Sequence, residues 1–452
     1  MSVLKYIYII IAGILTSFYL FPFEFSFLPG VNTKMAMAGF SLLILLFNKA
    51  TVRDLLVRKD LLILTIIALV FSLMCFMSVV VNATNDMTYC TFFVSMWVWL
   101  GGAYTLTTCL RSVHGYVSVR LILNYLIAVC VSQCILAIVI DSVPSMQQFL
   151  NSIIVGFDFV GLDRLENSER LYGIGAALDV AGIRFSIALV AIAFLATDLY
   201  KTNQLKALPL YVIAFVIIAI VGNMIARTTT VGLVIAIVLW IVYFFLDHDR
   251  FQSSRLMPWL MVIVGVAVSY SIYKYNIDQH FKEQITFAFE GFFSLANDGT
   301  WDVASNNNLK NMIVFPDNIK TWLIGDGYLE NPRATDPYYV GPFYRGYYMG
   351  TDIGYLRIIF YSGIFTLGFF IFFFYKSAES CAKLFSEYRV LFWLILLVNY
   401  IVWFKVATDV FLIFALFLCI NEEEEENAER KLILPEYMED KYENPISDPL
   451  DI

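Results

Sequence analysis

Three arginines set far apart in a hydrophobic chain, Arg170, Arg227 and Arg345, are the residues best suited to chemistry. A guanidinium stays charged at physiological pH, and its planar fork matches two phosphate oxygens at once, so these side chains suit the holding of a diphosphate. Arg227 stands in IARTTTVG, a turn of almost no length between two apolar spans. An uncompensated cation is hard to place there, which favours an anionic ligand or a buried partner. Arg170 and Arg345 admit a plainer reading, in which they snorkel to water or pair with Glu166, Asp179 or Asp352. Asp352, in GTDIGYLR, opens the next hydrophobic segment between Gly350 and Gly354. A carboxylate at that boundary can accept a proton from a sugar hydroxyl, or it can cap the helix, a task that also suits Thr351. Tyr338, Tyr339, Phe343, Tyr344, Tyr347 and Tyr348 crowd the approach to it. Their rings suit stacking on sugars, and equally suit a membrane interface.

The elements that must position these groups are membrane spans. Of 452 residues, 60% are hydrophobic and 15% charged, with a mean hydropathy of +0.72, which describes a polytopic membrane protein. The first apolar stretch lacks a small-residue cleavage site and runs into FPFEFSFLPG, so it reads as a retained helix. Stretches near 4–21, 30–48, 61–81, 89–110, 121–141, 183–200, 208–226, 228–246, 258–273 and 353–375 have the length and composition of spans. The stretch 388–421 is too long for one helix and carries Lys405 and Asp409 near its middle. A charge at the bilayer centre costs roughly 2.5–3.5 kcal/mol, so this stretch reads as two short helices turning near Lys405, for about twelve spans in all.

Lys49, Arg53, Arg58 and Lys59, then Arg111 and Arg120, Lys201 and Lys206, Arg250 and Arg255, and Lys376, Lys383 and Arg389 mark alternate short connections as cytoplasmic. Both termini then face the cytoplasm. The expected organisation is transmembrane helices over 1–273 with an external connection at about 142–182, a large external loop over 274–352, further helices over 353–421, and an acidic tail over 422–452 whose composition predicts disorder. Within the large loop, Phe281, Ile285, Phe289 and Phe292 fall at helical spacing, which predicts an amphipathic helix on the membrane. NNNLKNMIVFPDNIKTWLIGDGY predicts a helix broken at Pro316 and a glycine turn. Deep within the spans the sequence is nearly free of charge, whereas the external ends are rich in it.

Several classes are disfavoured. The net charge of -8 is concentrated largely in the tail, and nothing suggests nucleic-acid binding. The seven cysteines avoid the large loop, and His114, His248 and His280 are too scattered to suggest a metal centre. There is no phosphate-cradling loop or nucleotide fingerprint, which fits a substrate carried on a lipid without nucleotide or metal.

These residues resemble the O-antigen polymerase and O-antigen ligase superfamily, of Wzy type. ERLYGIGAALDVAG, ending near Asp179, is similar to that superfamily's external arginine followed by a glycine and a helix-opening Asn or Asp. IARTTTVG resembles its arginine turn, WLIGDGY the glycine pair of its large loop around Asp326, and TDIGYLRIIFYSGIFTLG its loop exit. The similarity covers roughly 165–370. Ligases of the group carry a histidine where Thr351 and Asp352 stand here, which puts polymerase ahead of ligase; Lys310 sits where relatives often have arginine.

The resemblance implies an all-α, GT-C-like architecture in a bacterial cytoplasmic membrane, with the large loop periplasmic. It implies an inverting, metal-independent glycosyltransferase without cofactor, acting in lipopolysaccharide or other surface-polysaccharide biosynthesis. The non-reducing-end hydroxyl of a lipid-linked repeat unit would attack the anomeric carbon of an undecaprenyl-diphosphate-linked glycan. Arg170 and Arg227 would hold the leaving diphosphate, and Asp352 would activate or orient the acceptor. Arg345, Lys310, Tyr344, Tyr348, Asp179 and Asp326 would bind substrate, and a membrane protein that regulates chain length is an implied partner. A ligase, or a lipid-glycan flippase without catalysis, is the alternative.

Overall fold

The computed structural model describes residues 3–47, 58–155, 170–201, 205–246, 257–344, 346–420 and 425. Among these the fold is all-helical, with only isolated bridges and no strand. In chain order the helices are α1 (Val3–Leu20), α2 (Thr33–Phe47), α3 (Lys59–Asn82), α4 (Phe92–His114), α5 (Val119–Ser142), α6 (Pro144–Ile153), α7 (Leu178–Lys201), α8 (Leu208–Ile225), α9 (Thr229–Leu246) and α10 (Met257–Ile277). The large loop supplies α11 (Gln279–Ala288), α12 (Glu290–Asp298), α13 (Ala304–Asn311), α14 (Ile319–Leu323) and α15 (Pro332–Thr335). The chain closes with α16 (Gly354–Leu384), α17 (Arg389–Val402) and α18 (Phe411–Leu418). Six of these, α3, α4, α5, α7, α8 and α16, are long and apolar enough to cross a membrane, and α1, α2 and α9 contain shorter apolar helices.

Helix α7 is the axis of the bundle. It packs against α5, α8, α9 and α17, and most of its apolar window is buried. Small residues let α9 come close: a Cβ at Gly232 would lie 2.2 Å from Ser186 Cα, and Ser186 Oγ donates to Thr228 O at 2.9 Å while accepting from Gly232 N at 3.1 Å. A polar side chain thus closes the crossing between the two helices at the turn that carries Arg227.

Helix α16 has 31 residues, a length of about 46 Å against a hydrocarbon core of about 30 Å. It breaks at Ser362 and Gly363, the latter at φ +85° and ψ 174°. A break frees carbonyls that must find donors elsewhere. The WLIGDGY turn supplies them, with Asp326 N donating to Phe360 O at 2.6 Å and Gly327 N to Tyr361 O at 3.0 Å. The fit allows no side chain at Gly363, where a Cβ would lie 2.2 Å from Leu323 O, or at Gly325, where it would lie 2.4 Å from Ser362 N. The glycine pair expected from the sequence is therefore the seat of the large loop on the bundle.

Four expectations change in detail. The stretch 388–421 does form two helices, α17 and α18, with the expected turn at Trp403–Lys405, but a further irregular segment runs on to Val410 before α18. The amphipathic loop helix is two helices parted at Phe289, with Phe281, Ile285 and Phe289 packed on the core and Phe292 exposed, because α11 docks on α8 and α10. The next helix ends at Asn311, ahead of Pro316, whose carbonyl accepts from Trp322 Nε1 at 3.0 Å. In the acidic tail, the one described residue, Glu425, is buried and accepts from Val119 N at 2.7 Å; the rest lies outside the described residues.

Gly363→Ala forces an L-residue into a region reserved for glycine, at about 1–3 kcal/mol from the backbone alone. Thermal unfolding in detergent should fall by several degrees for this variant and not for Gly368→Ala, whose added Cβ meets open space.

Candidate functional site

The turn between α8 and α9 is built by threonines. Thr229 Oγ1 donates to Gly222 O at 3.0 Å, Thr230 Oγ1 to Asn223 Oδ1 at 2.7 Å, and Thr228 Oγ1 to Asp179. Gly182 makes room for this turn on α7, since a Cβ there would lie 2.8 Å from Thr228 Cβ. With its helix ends satisfied locally, the turn directs Arg227 towards the loop helices. The guanidinium sits 3.9 Å from the Phe287 ring centre, forms an ion pair with Glu290, and reaches Ser305 Oγ at 3.4 Å.

Arg170 arrives at the same ring from the other side of the sequence, 4.8 Å from its centre. Its segment is pinned by Leu171 N donating to Met224 O at 3.2 Å and by Gln133, whose side chain both donates to Ile174 O and accepts from Ile174 N, each at 3.0 Å. Burial pulls the Arg170 guanidinium below its ordinary pKa, Asp179 opposes this and Arg227 adds to it. Burial also pulls Arg227 down, against Glu290. Both shifts report partial burial, and that of Arg170 also reports the nearby Arg227 cation.

Asp179, in the first turn of α7, accepts from Lys405 Nζ at 2.7 Å. Lys405 comes from the unwound segment between α17 and α18, so Arg170, Arg227 and Lys405 meet Asp179 and Glu290, three cations to two carboxylates among the described residues. Sequence reasoning placed Lys405 at a turn reaching water and missed its partner. The available signal was a lysine stranded in an apolar stretch.

Beside this cluster lies a cavity of about 410 Å³. Arg227, Glu290 and Lys405 form its polar end, and Val231, Val234, Ile235, Ile401 and Phe404 its apolar wall. Val234 and Phe404 are exposed on the bundle surface, so the cavity opens sideways. A second cavity of about 410 Å³ lies across α11, between apolar residues of α8 and a rim on which His280 pairs with Asp141 at 3.0 Å and Lys274 with Asp278 at 2.7 Å. Both cavities thus carry ion pairs at their polar ends, and only the first lies beside the additional cation Arg170.

The other expected residues fall elsewhere. Asp352 is half-buried just before α16 and does not line the first cavity. The expected cap is also corrected: the N-cap position is Ile353, with no side-chain cap, and Thr351 Oγ1 instead accepts from Ile353 N at 3.3 Å. The start of α16 packs on the Lys405 segment, with Gly354 N donating to Trp403 O at 2.9 Å.

Asp326 staples the loop through Lys320 at 2.7 Å, Thr321 at 2.8 Å and Tyr348 at 3.3 Å, and belongs to the loop seat rather than the cationic cluster. Tyr344 and Tyr348 do meet, edge to face at 5.3 Å, in an aromatic group with Tyr328 and Tyr339. Burial pushes the Tyr348 phenol well up, and burial with the Tyr344 contact pushes Tyr339 up to about 12, so both remain neutral hydroxyls. Lys310 is exposed on α13, whose Ser305 and Leu309 line the first cavity. Arg345 lies outside the described residues. Arg357, unassigned from the sequence, is buried with its guanidinium 3.3 Å from the Tyr347 ring centre.

The expectation that the deep spans are nearly free of charge fails at one place. Arg184, inside α7 and 4% exposed, interacts electrostatically with Asp409, which also faces Lys34. Lys34 lies in the first turn of α2, and Asp409 in the non-helical segment before α18.

No protein-family model, curated protein or solved structure matches this chain. Lys405→Met and Asp179→Asn each strand a partly buried charge and should cost about 1–3 kcal/mol of stability. Because they remove one shared interaction, the double variant should lose less than the sum by at least about 0.5 kcal/mol, read from denaturation of the purified protein.

Proposed function

We propose that this chain is a surface-polysaccharide polymerase of O-antigen type in the bacterial cytoplasmic membrane, crossing it about twelve times with the large loop outside. It joins undecaprenyl-diphosphate-linked repeat units by inverting glycosyl transfer. The observation that carries this reading is the meeting of Arg170 and Arg227 on the Phe287 ring, beside a cavity whose polar end grades into an apolar wall open to the side. A lipid diphosphate has the same two-part character. Its phosphates match the guanidinium forks, and its prenyl chain matches the wall of Val231, Val234 and Ile401.

In this reaction the acceptor hydroxyl attacks the anomeric carbon and the bond to the diphosphate breaks, so negative charge grows on the leaving group. Arg170, Arg227 and Lys405 offset that charge from fixed positions, which is where electrostatic preorganisation lowers a barrier most. The tyrosines about Tyr344 and Tyr348, with Arg357 against the Tyr347 ring, would contact the glycan, and Asp352 orients the acceptor. The second cavity, with apolar walls and a compensated polar rim, offers room for the second lipid-borne substrate.

A transport reading has its own support in the buried Arg184 and the partly buried Lys34 and Asp409, which lie near a broken helix pair as in many transporters. A ligase remains the nearer enzymatic alternative.

Incubating the purified protein with a defined undecaprenyl-diphosphate oligosaccharide should yield a ladder of products longer than one repeat. Arg227→Ala and Arg170→Ala should each lower the rate by about 10²–10³-fold, as loss of a preorganised donor does elsewhere. Translocation in vesicles without bond formation would replace polymerase with transporter, and a single transfer to a foreign acceptor would replace it with ligase.

A further inference from the structure

Glu290 is the only carboxylate among the described residues that lines the first cavity. It stands at the start of α12, just past the break at Phe289, with its side chain 30% exposed. Both oxygens are engaged, Oε2 in the ion pair with Arg227 and Oε1 accepting from Ala304 N at 3.2 Å. Around it are Val231, Phe292 and Trp301. The carboxylate therefore occupies the guanidinium that a diphosphate would need.

A diphosphate carries more charge than a carboxylate and offers more oxygens to the same fork, so it outcompetes Glu290 for Arg227. Once displaced, Glu290 keeps its place through Ala304 N but loses its counter-ion beside apolar side chains. The oxygen that faced Arg227 is then open to accept a hydrogen bond from a hydroxyl. We propose that the donor's diphosphate exchanges Glu290 off Arg227, and that the released carboxylate is the catalytic base that takes the proton of the acceptor hydroxyl.

The inference rests on the polymerase reading and adds to it an order of events. The acceptor oxygen forms its bond to the anomeric carbon while the bond from that carbon to the diphosphate oxygen breaks. The electron pair leaves with undecaprenyl diphosphate, and the acceptor's proton ends on Glu290. Before the donor binds, the base is held as a counter-ion; after the diphosphate departs, the restored Arg227–Glu290 pair opposes its return.

Glu290→Gln tests both halves, because the amide oxygen still accepts from Ala304 N while the charge is gone. With undecaprenyl diphosphate as the probe, the variant should bind about fivefold more tightly than the unaltered protein, the equivalent of about 1 kcal/mol. Its glycosyl transfer should fall by about 10²-fold or more, the contribution of a general base, and Glu290→Asp should recover part of that rate. An unchanged melting temperature excludes a folding defect as the cause.

Transfer at the original rate by Glu290→Gln, or weaker binding of the probe, overturns the inference while leaving the polymerase reading intact. If the unaltered protein neither binds the probe nor transfers sugar, the polymerase reading fails and this inference falls with it.

Discussion

Like charges brought together in a poorly solvated place repel one another, and Arg170, Arg227 and Lys405 are held together against that repulsion. Each is fixed by a different device. Arg227 leaves a turn whose backbone and threonines satisfy both helix ends, Arg170 hangs from a backbone bond to the end of α8, and Lys405 leans across to Asp179. The Phe287 ring lies against the two guanidiniums and presents its electron-rich face to cations. The crossing of α7 and α9 underlies all of this, because Ser186, Gly182 and Gly232 bring Thr228 onto Asp179. A bulkier residue in that crossing would move the turn and Arg227 with it.

The large loop is held to the bundle through the broken helix α16. Its glycine turn supplies donors to the carbonyls freed at the break, while Asp86, from the short α3–α4 connection, accepts from Leu329 N at 2.7 Å and Glu330 N at 3.3 Å. Tyr361 closes the arrangement by donating to Asp86 O at 2.6 Å. Since the start of α16 packs on the Lys405 segment, one continuous frame runs from the tyrosines of the loop to the cations of the cavity. Groups that a substrate must touch together are thereby carried on connected, well-packed supports, which is what preorganisation requires.

The interior charges belong to the same economy of broken helices. Where α17 stops at Val402 and α18 starts at Phe411, backbone polar groups lie among apolar neighbours and polar side chains gather near them. Trp403 Nε1 donates to Thr408 O at 2.8 Å, and Phe411 N donates to Asp409 at 2.7 Å. Arg184 and Lys34 are the nearby charges that compensate Asp409. The helix that follows, α18, is buried throughout.

Hydrophobic length alone determined that the chain forms helices long and apolar enough to cross a membrane, because about 20 apolar residues in a row admit few other fates. It also located the apolar helices of the bundle among the described residues, and the charge inside 388–421 marked the break there. Composition likewise singled out Arg170 and Arg227, because guanidinium groups between apolar spans stand out without any knowledge of their partners. The partners themselves are relations between residues far apart in the chain: Lys405 with Asp179, Glu290 with Arg227, Phe287 between two cations. Such pairings have no local period or motif, since they follow from how α7, α9 and α11 pack. Only the tertiary structure could therefore decide that Asp326 staples the loop, that Asp352 stands apart from the cavity, and that Glu290 lines it.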